Sequence, residues 1–157
     1  GTIAEYVAEK REGMSDSLNI PGVVRALPDG QLNLTAEKGQ GLGPNIKYMP
    51  EWKAFGWYTA SDRVEWEVEV PKAGRYDVFL EWSVSDEAAG SPFVFEAGDK
   101  SVRGKVGKTG SWETFKSKKI GRLTLTPGLT KMVFRGSSKD KDSGLLDLRE
   151  IRLIPVE

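Results

Sequence analysis

Residues 62–83 read DRVEWEVEVPKAGRYDVFLEWS, two runs in which apolar and charged side chains alternate on either side of Pro71-Lys72-Ala73-Gly74. Val64, Trp66, Val68 and Val70 fall on one face, with Glu65, Glu67 and Glu69 on the other. After the turn, Tyr76, Val78, Leu80, Trp82 and Val84 repeat the pattern with Asp77 and Glu81 opposite. A period of two marks a strand with one face in a core and the other in water. Outward from this pair, turn residues recur at 39–44, 87–92, 98–100, 107–110, 127–128 and 136–144, separated by segments of strand length: 92–97, 101–106, 113–125, 131–135 and 145–155. About eight to ten strands and no internal helix are expected, so the fold class is all-β, an antiparallel β-sandwich, a scaffold that more often binds than catalyses. The last segment, LLDLREIRLIPV, changes phase: Leu146 and Leu148 share a face, then Ile151 and Leu153 take the other parity, which predicts a bulge near Arg149.

With 157 residues, the chain is long enough for one well-buried core and too short for two ordinary domains. Residues 2–12 read as a short amphipathic helix, with Thr2 and Glu5 spaced as a capping box and Gly13 as its stop. Residues 1–30 are therefore expected to form a helix and linker arm around one short strand, 23–27, and residues 31–157 the sandwich. Lys and Arg total 23, as do Asp and Glu, so no net field draws in nucleic acid or anionic lipid. No apolar run reaches the roughly 18 residues of a membrane span, and no leader segment is visible. The expectation is an exported, extracellular or periplasmic chain whose signal has been removed.

Cysteine and histidine are both absent, which excludes a disulfide, a thiolate metal site, a thiol nucleophile and an imidazole base. Carboxylates remain, but they are spread along strand faces rather than isolated as a pair in an apolar setting, so an enzyme is not expected. Five tryptophans divide by context. Trp66 and Trp82 sit in phase with apolar strand faces and read as core. Trp52, Trp57 and Trp112 lie in or beside loops, where they either stack on a sugar ring or plug the ends of the sandwich.

The order Leu34-Thr-Ala-Glu37, then Asp62 through Tyr76, then Thr109-Gly-Ser-Trp112, then Leu146-Asp-Leu-Arg-Glu-Ile-Arg-Leu153 resembles the family 6 and family 35 carbohydrate-binding modules over about residues 31–155. The resemblance implies a galactose-binding-like jelly roll that contacts sugar through loops at one end, in the form appended to large bacterial exported proteins. Trp112 matches the tryptophan of the family's Thr-Gly-Gly-Trp element, which lines the sugar cleft. Asp147 falls where such modules place an asparagine; a carboxylate accepts from sugar hydroxyls but does not donate. Tyr58 and Asp62 lie on the approach to the family's other cleft aromatic, whose Gly-Asp-Trp is replaced here by Ala-Ser-Asp-Arg, leaving Trp57 and Tyr58 as alternatives. Arg103 is a further candidate for orienting the ligand.

The same resemblance matches Glu37 to a calcium-binding glutamate, but the late aspartate of that site is replaced by Arg149, whose guanidinium is expected to pair with Glu37 in place of the ion. No cofactor is expected beyond a possible structural calcium. The function implied is a non-catalytic carbohydrate-binding module that targets a neighbouring catalytic domain. The alternative is a sandwich that has lost its sugar site and docks to another domain or subunit. An exposed cleft holding Trp112 and a second aromatic favours the first, and Trp112 buried under residues 136–144 favours the second.

Overall fold

The computed structural model describes residues 18–156, and the helix expected over 2–12 lies outside them. The described residues form β1 (Val23–Val24), β2 (Leu32–Thr35), β3 (Gln40–Leu42), β4 (Lys47–Met49), β5 (Ala54–Gly56), β6 (Arg63–Val70), β7 (Gly74–Ser83), β8 (Pro92–Ala97), β9 (Lys100–Lys105), β10 (Lys116–Leu125), β11 (Gly128–Gly136) and β12 (Asp147–Pro155), with a single turn of 3-10 helix at Ala36–Lys38. No helix among the described residues is long and apolar enough to cross a membrane.

The strands make two six-stranded sheets. One runs β1-β6-β11-β8-β9, with β3 also on β6; the other runs β10-β7-β12-β5-β4, with β2 also on β12. Pairing is antiparallel except for β1 on β6. The alternating runs of β6 and β7 do not pair with each other. Each lies in a different sheet and turns its apolar face to the space between them. Val64, Trp66, Val68 and Val70 thus meet Tyr76, Val78, Leu80 and Trp82 in one core together with Phe93, Phe95, Phe134, Leu148, Ile151 and Leu153. Both core indoles satisfy their N–H: Trp66 donates to the Thr35 carbonyl at 2.8 Å and Trp82 to the Gly107 carbonyl at 2.9 Å.

The phase change in the last segment is a bulge. The register of β12 on β7 shifts between Leu148 and Glu150, which turns Arg149 out of the ladder and returns Ile151 and Leu153 to the core. A second shift, between Lys119 and Gly121, bends β10, whose exposed Lys116, Lys118 and Lys119 line an edge of the sheet.

Candidate functional site

At the start of β12 the second sheet ends in an open groove of about 720 Å³. In the β4–β5 hairpin Tyr48 and Phe55 turn toward the core, their rings edge to face at 5.6 Å, and Phe55 pairs with Leu148. By alternation Lys47, Met49 and Gly56 lie on the outer side, next to Asp147. Gly56 keeps this floor open: a Cβ there would meet Met49 Cε at 2.5 Å and Asp147 Oδ1 at 3.1 Å.

Three tryptophans wall the groove. Trp52 occupies the tight β4–β5 turn, where its N–H donates to the Met49 carbonyl at 3.1 Å. Trp57 follows β5 with φ of 54°, a left-handed backbone uncommon for a bulky residue, and is 71% exposed. Trp112 sits in the loop between β9 and β10, anchored by buried Thr109. The Thr109 hydroxyl accepts from Val84 N at 2.9 Å and lies 3.0 Å from the Val84 carbonyl. In that loop the Ser111 hydroxyl accepts from the Glu113 amide at 3.3 Å. The Thr-Gly-Ser-Trp element is thus a self-bonded turn that holds its indole 39% exposed over the groove, not under residues 136–144.

The other candidate residues separate. Tyr58 lines the groove but is buried; its hydroxyl donates to the Phe134 carbonyl, and burial holds that hydroxyl's pKa well above its usual value. Between the alternatives Trp57 and Tyr58, the exposed indole is therefore Trp57. Asp62, also buried, braces the loops: Oδ1 accepts from Asn45 N at 3.0 Å, and Oδ2 from the Thr59 amide and hydroxyl, both at 2.8 Å. The residue at Gly43 must be glycine for this, since a Cβ there would lie 2.1 Å from Asp62 Oδ1. Arg103 is on β9, opposite Val94, in the other sheet and outside the groove lining.

Asp147 is the chemically distinctive group. Burial pushes its carboxyl up to about 7, and it has no hydrogen-bond or ion-pair partner among the described residues. At and below neutrality the protonated form donates as well as accepts, so the amide-like role denied to a carboxylate is open to it. Glu113 and Lys47 on the rim are the other charged lining groups. Sequence reading missed Asn45, Lys47, Met49 and Glu113, which carry no motif and meet only through the hairpin and the loop.

Glu37 sits in the 3-10 turn, away from this lining. Its charge adds to burial in raising Tyr48 to about 12, and it is a lesser cause, after burial and Glu81, of the upward shift of Glu150. The salt bridge of Arg149 is made with Glu81, at 3.1 Å, rather than the expected one with Glu37. Among the described residues no group of three or more acidic side chains is placed to hold a metal ion.

No protein-family model and no curated protein matches the chain. Solved structures do. A family 35 carbohydrate-binding module from Clostridium thermocellum superposes with a TM-score of 0.65 at 14% identity, over 80% of this chain and 98% of that module. The C-terminal family 6 module of a laminarinase from Zobellia galactanivorans gives 0.62 at 13%, over 79% and 98%. An exo-β-1,3-galactanase from Phanerochaete chrysosporium, solved with galactose, matches at 0.62 and 19% over 78% of this chain but only 29% of the enzyme. The chain has the jelly-roll fold of the family 6 and family 35 carbohydrate-binding modules.

Proposed function

We propose that the chain is a non-catalytic module that binds carbohydrate in the groove, with Trp112, Trp57 and Trp52 stacking on pyranose faces while Asp147 and Asn45 bond ring hydroxyls. The observation that carries this reading is the convergence of three exposed indoles on one groove, one of them on strained left-handed backbone. Isolated exposed aromatics are ordinary, but three on loops facing a common space with a polar floor form a binding surface. Strain kept at Trp57 serves presentation rather than packing.

Stacking with a few solvent-competed hydrogen bonds corresponds to dissociation constants of about a millimolar to tens of micromolar. At that affinity the module acts by concentrating an attached or neighbouring catalytic domain on a polymer, as part of an exported protein. The reading requires no metal, and chelation is expected to leave binding unchanged.

The test is a glycan array with the parent and with Trp112→Ala and Trp57→Ala. Binding to a defined glycan class that both variants lose is expected. A folded parent that binds no glycan would leave docking to another domain or subunit as the better account.

A further inference from the structure

The carbohydrate reading leaves the charge in the groove unexplained. Asp147 is an acid at a partly dry floor, burial is the cause of its shift, and no cation among the described residues pairs with it. Lys47 on β4 shares the lining but makes no bridge to Asp147, and Arg149, two residues on, pairs with Glu81 of β7. Directly opposite Asp147 in the ladder is Ser83 of β7, whose hydroxyl is buried and has no hydrogen-bond partner. Paired residues share a face of the sheet, so the buried, unpartnered Ser83 hydroxyl lies beside a carboxyl that has no protein partner among the described residues. From the loop between β9 and β10, Glu113 adds a second acid at the rim. From the hairpin side Gly56 and Met49 lie beside the carboxyl, and Lys47, paired with Gly56, lines the same groove.

Leaving a buried hydroxyl such as that of Ser83 unsatisfied is unfavourable, and the half-buried Asp147 carboxyl beside it is open to a partner supplied by a ligand. A hydroxyl donor would satisfy Asp147, but an ammonium does so more strongly, because N–H donors on a cation to a carboxylate make bonds roughly twice as strong as neutral ones. The walls point the same way: indole faces attract cations through the ring quadrupole, tryptophan most of all. Two acids against one lysine leave the groove net negative when Asp147 is ionised, which disfavours uronic acids.

We infer that the groove selects amino sugars with a free, protonated amine, the ammonium pairing with Asp147 and lying against the tryptophan walls. This deepens the carbohydrate reading and rests on it. Pairing an ammonium with Asp147 favours the ionised carboxyl, so binding near pH 7 drives a proton from the acid to the buffer, about half a proton per site for a group titrating there. Below about pH 5 the carboxyl stays protonated, and above about pH 8 an amine of α-amino type loses its charge, so affinity passes through a maximum between these limits.

The experiment compares matched oligosaccharides, each with free amines and with the amines acetylated, in the gluco and galacto series, by calorimetry at pH 7 in buffers of different ionisation heat. The expected result is that a free-amine member binds at least about tenfold more tightly than its acetylated twin, with a buffer-dependent heat that reports proton release, and that Asp147→Asn brings the ratio toward one and removes the proton release. Equal binding of every pair by the parent, lost in Trp112→Ala, would overturn the amine inference and leave the carbohydrate reading standing. A free-amine preference that persists in Asp147→Asn would overturn the assignment to Asp147. Failure of the folded parent to bind any member while it binds other glycans on the array would overturn this inference alone; failure on the array as well would overturn the carbohydrate reading beneath it.

Discussion

Two groove residues hold conformations or charges that packing alone would not select, and each makes a stability prediction. The folded-state pKa of Asp147 lies above its unfolded value near 4, so the native state binds more protons across that interval. The sign follows: the carboxyl is little burden at pH 4 and below, its cost builds between about pH 4 and 7, where the native state keeps a proton that the unfolded state has lost, and it is fully present above about pH 7. Asp147→Asn should therefore raise the melting temperature at pH 8 by about 3 °C, or about 1 kcal/mol after discounting for the open groove, and leave it unchanged at pH 4. A melting series at both pH values checks this, and equal shifts at both would show that titration is not the cause. Trp57 carries the second feature. Its left-handed backbone is unfavourable for any residue with a Cβ, and its exposed indole packs little. Trp57→Gly should keep the melting temperature at or above the parent's while lowering glycan affinity at least about tenfold; a melting temperature several degrees lower would mean that the indole packs after all.

The bulge on β12 links sequence pattern to site geometry. It rotates Arg149 outward, where Nε donates to the Trp52 carbonyl at 3.1 Å, the guanidinium pairs with Glu81 at 3.1 Å, and its carbon sits 3.6 Å from the centre of the Phe115 ring. The rings of Phe115 and Trp52 are 6.3 Å apart, so one cation ties the β4–β5 turn to the loop that carries Trp112. Arg149→Met removes the bond and the charge but keeps an apolar stem over Phe115. It should lower affinity several-fold at a stability loss of about 1 kcal/mol, measured by calorimetry and chemical denaturation; unchanged affinity would show that the Trp52 turn holds itself in place. The bulge was legible because apolar parity flips on either side of Arg149, and β6 and β7 were legible because their alternation is unbroken over about eight residues each. The hairpin Lys47–Met49 and Ala54–Gly56 was not, since three-residue strands carry too little period to detect. Residues 113–115 read as strand but form loop, because the Ser111 and Thr114 hydroxyls, 3.0 Å apart, close a local turn there. Asp62 and Tyr58 read as site candidates from their place beside Trp57, whereas their side chains bond inward, to loop amides and to a backbone carbonyl across the core. Spacing along the chain does not tell such bracing from ligand contact.

At the scale of the molecule, the five tryptophans separate the fold from the site. Trp66 and Trp82 are 1% and 4% exposed, whereas Trp52, Trp57 and Trp112 are 36%, 71% and 39% exposed. The first pair lies between the sheets with both indole N–H groups bonded to backbone carbonyls, and the other three stand on loops over one groove. Removing a fully buried indole leaves a large cavity and an unpartnered carbonyl, so Trp66→Ala should destabilise by about 3–5 kcal/mol, a loss visible as a large drop in the denaturation midpoint. The exposed indoles make a different signal. In the native protein a neutral quencher such as acrylamide should reach the groove tryptophans and spare the core pair, giving two populations in a quenching plot. If glycan binds in the groove as proposed, a saturating ligand should cover the accessible three at once, because they share one space, and the quenchable fraction should fall sharply with ligand while unfolding exposes all five. Trp57→Phe should remove the largest part of the accessible emission before any ligand is added. A glycan that binds with unchanged quenching would place its site elsewhere on the sandwich and separate the three loop tryptophans from recognition, whereas protection that saturates with the calorimetric isotherm ties binding to this end of β12.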